Sequence, residues 1–305
     1  MANDLAQIAK SVFKEFNETL VNATESFSAV GPILTDDRPN LEMQMSQSTG
    51  GLTAYSAVGT SVNKDIKSAN VVHSSTGYAK TEKITWKDRR DNPDLPARRA
   101  RIMANEGAAH IQDTFFTGLA SLFATAHPMA GANSWEVGAG KMYIDNALTY
   151  NGGTQSNLSA DALSRVALVN SDITIANWRR VGSGQKLNLG NSMGQKVLVC
   201  SPDNKDLAIE LLRSQVKDAD MQANSMFQWA APVFYPLTAA QDWFVVHRGI
   251  GEMGGPVAMW IRETPQIDLS WDSGSGNLDL VMSVRLIADF VYDVEGAGIV
   301  GYNAP

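Results

Sequence analysis

The stretch from Asp94 to Thr125 constrains this chain more than any other. Pro93 and Pro96 stand at or before a first helical turn, where a missing N–H is harmless. Asp91, Asn92 and Asp94 offer capping oxygens just upstream. Ala100, Met103, Ala104, Gly107, Ala108, Ile111, Phe115, Gly118, Leu119, Leu122 and Phe123 then recur at spacings of three and four. That is the stripe of an amphipathic helix, with Arg98, Arg99, Arg101, Asn105, Glu106, Gln112 and Asp113 on the other face. Starting near Ala97, it runs roughly 40 Å at about 1.5 Å per residue. Gly107 weakens such a helix by about 1 kcal/mol relative to alanine, which points to close approach of another backbone. The helix carries no catalytic constellation and reads as a girder.

The 305 residues, 44% apolar and 19% charged, suffice for a sizeable core in one large or two ordinary domains. A net charge of −7 argues against a protein that coats nucleic acid, but is compatible with one that encloses it. The single cysteine, Cys200, lies in the apolar run KVLVC and cannot form an internal disulfide, which suits a reducing compartment. No apolar window reaches membrane-spanning length, and MANDLAQIAK lacks the pattern of a secretion signal. A soluble chain, made in the cytosol and independent of membranes, is expected.

Residues 3 to 22 repeat the helical pattern, with Leu5, Ile8, Ala9, Val12, Phe13, Phe16 and Leu20 on one side and Asn3 or Asp4 as cap. This helix either docks on its own domain or is an arm reaching a neighbour. From Leu41 to Lys87 the period changes: LEMQMSQ alternates, Gly50-Gly51 turns, LTAYSAV is a second apolar run, and VVHSSTGYAKTEKITWKDRR alternates again. These strands read as a long protruding hairpin with too little core to stand alone. After the long helix, a Gly-, Asn- and Ser-rich segment reads as a loop or linker, and Asp161 offers a cap for a short helix at ALSRVALVN. Lys196 to Cys200 is a buried strand, followed by a helix capped by Asp203 with Leu207, Ala208, Leu211 and Leu212 inward. DWFVVHR, VAMWIRE, QIDLSWD and the long LDLVMSVRLIADFVYDV are further strands.

Motifs for catalysis fail on context. GIGEMG at Gly249, Gly251 and Gly254 matches a dinucleotide fingerprint by letter, yet a strand follows where a helix must open, so it reads as a hairpin turn. VGAGKMY near Lys141 lacks the first glycine and the Ser/Thr of a phosphate loop. His73, His110, His127 and His247 are scattered without metal spacing. Cys200 sits mid-strand, where a thiol is inert. Arg89, Arg90, Arg98, Arg99 and Arg101 offer either phosphate contacts or one half of a salt-bridge set. No catalytic, cofactor-binding or metal-binding residue is expected, and no enzyme.

The order of elements resembles the major capsid protein of tailed phages, the HK97-like fold, and more closely the Mu-like major head subunit family. EKITWKDRRDNPDL before the helix, LFATAHPMAG after it, QKLNLG with GQKVLVCSPDNKDLAIELLRSQ, DWFVVHR with VAMWIRETPQIDL, and the closing VGYN carry the likeness. These patches lie mainly between Glu82 and Phe123 and between Ala160 and Asn303. The chain departs from the family at its start and in a polar insert between Lys141 and Asn157. The resemblance implies an α+β fold: an N-terminal arm (1–40), an extended β-hairpin loop (41–90), and a spine helix in a peripheral domain (91–160). An α/β axial domain (161–268), a long strand returning to the peripheral domain (269–293) and a tail (294–305) complete it.

The implied function is self-assembly into hexamers and pentamers of an icosahedral shell around viral double-stranded DNA, bound without sequence specificity. No cofactor is implied. Scaffold, portal and decoration proteins are the partner types, and the location is the virion after assembly in the host cytoplasm. Within the hairpin and its base, Met43, Met45, Tyr55, Val58, Ile84 and Trp86 are the expected apolar contacts with a neighbour or at the base itself. Lys87, Arg89 and Arg90 would set register, with Arg98, Arg99 and Arg101 as further interface charges. Two rivals are an encapsulin-like nanocompartment shell enclosing cargo protein and, from another class, a nucleotide-dependent enzyme built on the glycine-rich turn.

Overall fold

The computed structural model describes residues 2–22, 26–48, 66–131, 136–150, 153–181, 184–187, 189, 193–213, 216–217, 222–223, 225–237, 239–249, 253–273 and 278–303. The first helix, α1 (Ala2–Asn22), leads through a short 3-10 turn to β1 (Ile33–Thr35). The strands β2 (Asn40–Ser48) and β3 (Ile66–Ser74) pair antiparallel over nine residues each. After Ser75 the chain continues as β4 (Thr76–Ile84). A short helix α2 (Trp86–Asp91) follows, capped by Thr85, whose hydroxyl accepts from Asp88 N at 3.2 Å.

The spine, α3 (Leu95–Ser121), has 27 residues. Its stripe buries Ala100, Met103, Ala104, Gly107, Ala108, Ile111, Phe115 and Leu119, as the spacing predicts, and Phe116 besides. The carboxylates upstream do not cap it: Asp94 holds the N-cap position without a side-chain bond, and Pro96 fills the first turn instead. The helix ends at Ser121, where Ser121 Oγ donates to Gly118 O. Leu122 lies just beyond as a fully buried residue.

Past the helix, the segment expected to be a linker is part of the core. Met129, Val137, Tyr143, Ile144 and Leu148 are buried in it, around the small hairpin β5 (Leu148–Tyr150) and β6 (Gly153–Gln155). Asn157 explains the order of this glycine-rich chain, accepting from Asp145 N at 2.8 Å and donating to Tyr143 O at 2.9 Å while fully buried. The next helix, α4 (Arg165–Asn177), is capped by Ser164 rather than Asp161, because the Ser164 hydroxyl reaches Ala167 N at 3.2 Å. Strand β7 (Lys196–Cys200) is buried throughout and leads into α5 (Lys205–Arg213). In α5 Ala208, Leu211 and Leu212 face inward as predicted, whereas Leu207 is exposed. A short pair β8 (Val216–Lys217) and β9 (Gln222–Ala223) precedes β10 (Val233–Phe234), β11 (Trp243–His247), β12 (Val257–Asp272), β13 (Asp279–Tyr292) and β14 (Ile299–Tyr302).

Two four-stranded sheets organise these elements, in the orders β1-β12-β13-β4 and β10-β7-β11-β14. Strand β12 runs through Pro265, with register shifts against β13 between Ile261 and Gln266. Proline has no N–H for the ladder, so pairing slips there and resumes beyond. In the second sheet every residue of β7 and β11 is buried, because both faces are covered. Val197, Val199, Phe244 and Val246 pack towards α3, while Leu198, Cys200, Trp243 and Val245 pack against α4 and α5.

The spine joins the two sheets. Its N-terminal half shares a core with Val12 and Phe16 of α1 and with Ile84, Ile267, Leu280 and Met282 of the first sheet. Its C-terminal half, from Ile111 to Leu119, with Leu122 just beyond, shares another with Met259, Ala288 and Phe290 of the first sheet and the α3-facing residues of the second. Thus α1 docks on its own subunit, the first of the two readings its pattern allows.

Candidate functional site

The sequence-predicted contact residues fall in three places. At the stalk, β2 and β3 pair with each other and with no other strand among the described residues. Met43 is buried with Leu41 against Met129, Val137 and Trp260, so it anchors the stalk's base inside the subunit. His73 adds a second anchor, its Nε2 lying 3.0 Å from Tyr292 O, and burial lowers its pKa. Val72, facing away from the base, is exposed. Met45 takes register opposite Ala69; Tyr55 and Val58 lie outside the described residues.

At the head of the spine, Ile84 is buried in the subunit's own core with Ala100 and Met103. Trp86 is half-exposed, and its backbone N–H donates to Asp279 Oδ1 at 2.8 Å. Arg90 stacks over that indole at 4.7 Å. Arg89 turns the other way: it is buried, donates to Leu278 O at 3.0 Å and lies over Trp271 at 4.9 Å. Arg99 and Arg101 are exposed and paired within the subunit, with Glu82 at 3.9 Å and Glu15 at 2.8 Å. Arg98 is exposed in a polar groove between α1 and α3 beside Asp91 and Asp94. Arg90 likewise pairs with its neighbour Asp91 at 3.3 Å, so Arg90, Arg99 and Arg101 each have a carboxylate partner inside one chain.

The third place went unread in the sequence: a buried polar hub where β13 leaves the first sheet to become β14 of the second. The Tyr143 hydroxyl donates to Asp293 Oδ1 at 2.8 Å and lies 3.1 Å from Pro256 O. Asp293 also accepts from Gly296 N at 2.8 Å. His127 stacks on Tyr143 and accepts from Met129 N at 3.1 Å. Gly296, at φ +66°, makes the turn possible. Burial holds His127 down to about 4. Burial and the neighbouring Asp293 push Glu295 up to about 7, with Arg180 and the Val181 N–H offsetting only part. Among the described residues, His127 Nε2 and Glu295 Oε1 have no hydrogen-bond partner. The paired strings AHP and DVEGAG were the only trace of this hub in the sequence.

Chemistry finds no footing elsewhere. Burial pushes the Cys200 thiol to about 12, which makes it a poor nucleophile. Among the described residues, no three His, Cys, Asp or Glu side chains converge to hold a metal, and no helix is long and apolar enough to cross a membrane. The glycine-rich turn closes on itself through Gly249 N to Gly254 O, with φ of +83° and +78° at those glycines. It is not the hairpin expected, because β11 and β12 belong to different sheets. The strand β12 follows it where a nucleotide-binding helix would have to open, so the nucleotide-dependent reading fails.

No curated protein matches the chain in sequence. Solved structures share its fold. The capsid of a native GTA particle superposes with a TM-score of 0.57 at 11% identity, covering 91% of this chain and 89% of that one. The mature capsid of bacteriophage PhiM1 gives 0.52 at 15% identity, over 90% and 85%. The capsid of Ralstonia phage GP4 gives 0.52 at 11% identity, over 92% and 88%. These likenesses carry the HK97-like α+β fold. The profile of one family, described as phage capsid protein, matches residues 71–300. That span runs from β3 through the spine and both sheets to β14, and the chain accordingly belongs to the phage capsid protein family, as a structural shell subunit rather than an enzyme.

Proposed function

We propose that this major capsid protein closes an icosahedral head, from hexamers and pentamers, around double-stranded viral DNA. Assembly into shells follows from the family; the DNA content and ring sizes are our reading. The observation that carries it is the stalk. β2 and β3 make a two-stranded sheet that pairs with no other strand among the described residues. Such a pair is marginal in water and leaves its edges open. A neighbouring subunit is the natural cover, and the half-exposed Trp86 with Arg90 at the spine's head is an aromatic–arginine contact of the kind that dominates interfaces.

In this reading α1, α3 and the first sheet form the peripheral domain, and the second sheet with α4 and α5 forms the axial one. The last strand, β14, returns to the axial sheet by pairing with β11. Within the family we place the chain nearest the Mu-like head subunits, on the patches quoted above. The net charge of −7 supports a wall that confines DNA without gripping it. Scaffold, portal and decoration proteins would act as partners, and assembly would take place in the host cytoplasm. Extraction of nuclease-protected nucleic acid from purified particles tests the cargo. Duplex DNA of uniform length supports the reading, and particles filled with a folded protein contradict it.

A further inference from the structure

Helix α4 is apolar on two sides. Ala167, Leu168 and Ile175 turn inward onto the second sheet. Val166, Val169 and Ile173 turn outward and are 65, 39 and 53% exposed. Their spacings of three and four place them in one stripe along the helix. The remaining exposed positions, Asn170 and Asn177, are neutral.

Other helices behave differently. α1 presents Lys10, Lys14 and Glu18 to solvent, α3 presents its arginines with Glu106 and Asp113, and α5 presents Lys205, Asp206, Glu210 and Arg213. Among the described helices of nine residues or more, α4 alone has an exposed face without a charge. Its own two charged residues are half-buried, and Asp172 pairs inward with the fully buried Lys196, which also faces the Trp229 ring at 6.0 Å. That pair fixes the helix on the sheet, so the stripe is presented in a set orientation.

We propose that the α4 stripe is a contact face for a second copy of this chain, an assignment that rests on the shell-forming reading above. Each copy carries a net charge of −7, so a contact between identical subunits is favoured where it closes without confronting like charges or burying unpaired ones. The neutral stripe is such a place. Contacts that build rings of more than two are heterologous. The stripe therefore seats on a different surface of the neighbour, not on a second α4.

Ile173→Glu tests it, read by circular dichroism for fold and by sedimentation and electron microscopy for assembly. The variant keeps the wild-type spectrum and thermal midpoint, because residue 173 is exposed in the single subunit. Its assembled fraction falls by roughly tenfold or more, since a charge is forced into the contact. Ile173→Leu assembles as wild type does. Alkylation of Ile173→Cys gives a second, independent readout, with Cys200 silent because it is buried. The new thiol reacts about tenfold slower or more in shells than in dissociated subunits. Normal shells from Ile173→Glu, or equal alkylation rates in both states, overturn the proposal. So do normal shells that have lost only an accessory protein. A wild-type chain that never leaves the monomer sinks the shell reading itself, and is thereby told apart from failure of this contact alone.

Discussion

Gly118 of the spine lies against the ring of Phe290 in β13, so closely that a Cβ at position 118 would stand 2.3 Å from Phe290 Cγ. The root of that ring is held by β13 and cannot swing away. Gly118→Ala is expected to lower stability by about 1–3 kcal/mol through overpacking, even after the helix-propensity gain of about 1 kcal/mol. Gly107→Ala meets Pro265 Cβ at 3.3 Å, tight but not overlapping, and should be near neutral. Urea midpoints of dissociated subunits check both, and equal effects would contradict the packing described.

The hub at the junction of the two sheets makes a crossed prediction for pH. Glu295 stands at about 7 when folded against an ordinary 4.5, so the native state holds the extra proton and stability falls as pH rises through that window. His127 stands at about 4 against 6.5, so the unfolded state holds the extra proton and stability rises across its window. Each swing is on the order of 3 kcal/mol, and the two oppose one another between 4.5 and 6.5. Glu295→Gln should therefore gain stability relative to wild type as pH rises from about 4.5 to 7, and His127→Gln should lose it from about 4 to 6.5. Denaturant midpoints followed across pH show this as slopes of opposite sign. Two variants that both run parallel to wild type would contradict it.

Arg89 and Arg90 are neighbours in sequence with opposite tasks. Arg89→Ala leaves Leu278 O without its donor and empties the space over Trp271, and should destabilise the folded subunit by about 2 kcal/mol. Arg89→Lys should recover little, because a point ammonium cannot match the flat guanidinium over the indole. Arg90→Ala should change thermal stability by under about 0.5 kcal/mol while lowering assembly, if Trp86 and Arg90 form the contact proposed for them. Calorimetry and sedimentation on the same samples separate the two.

Replacing residues 50–64, which connect β2 to β3 in sequence, with a short glycine–serine link leaves the β2–β3 register and the anchors at Met43 and His73 in place. The subunit should stay folded and closed shells should be lost. Normal shells, or outright unfolding, would show that residues 50–64 are not a clamp between subunits.

Periodicity made the girder legible, because Ala100 to Leu119 repeat at helical spacing over more than five turns and one register suffices to place them. The buried strand β7 was legible for a related reason: five successive apolar or aliphatic-stemmed positions leave few alternatives. What stayed hidden depended on partners distant in sequence. Asn157 ordering the loop after the spine, Tyr143 meeting Asp293 and Ser164 outcompeting Asp161 as a cap are decided by geometry that no local pattern encodes. Leu207 shows the converse, an apolar residue whose spacing fits the buried face but whose helix is rotated to expose it. Among the expected contact residues, Met43, Ile84 and Arg89 are buried within the single subunit, while Trp86, Arg90, Arg98, Arg99 and Arg101 remain at its surface. Apolar alternation alone cannot tell a core from an interface, since both are buried in the end.

Electron microscopy of the purified protein, recorded over a range of concentration and salt, tests the central claim most directly. Closed icosahedral particles of uniform diameter are expected, with density that resolves this fold in rings of five and six. A population that remains a single species near 33 kDa under every condition would contradict it.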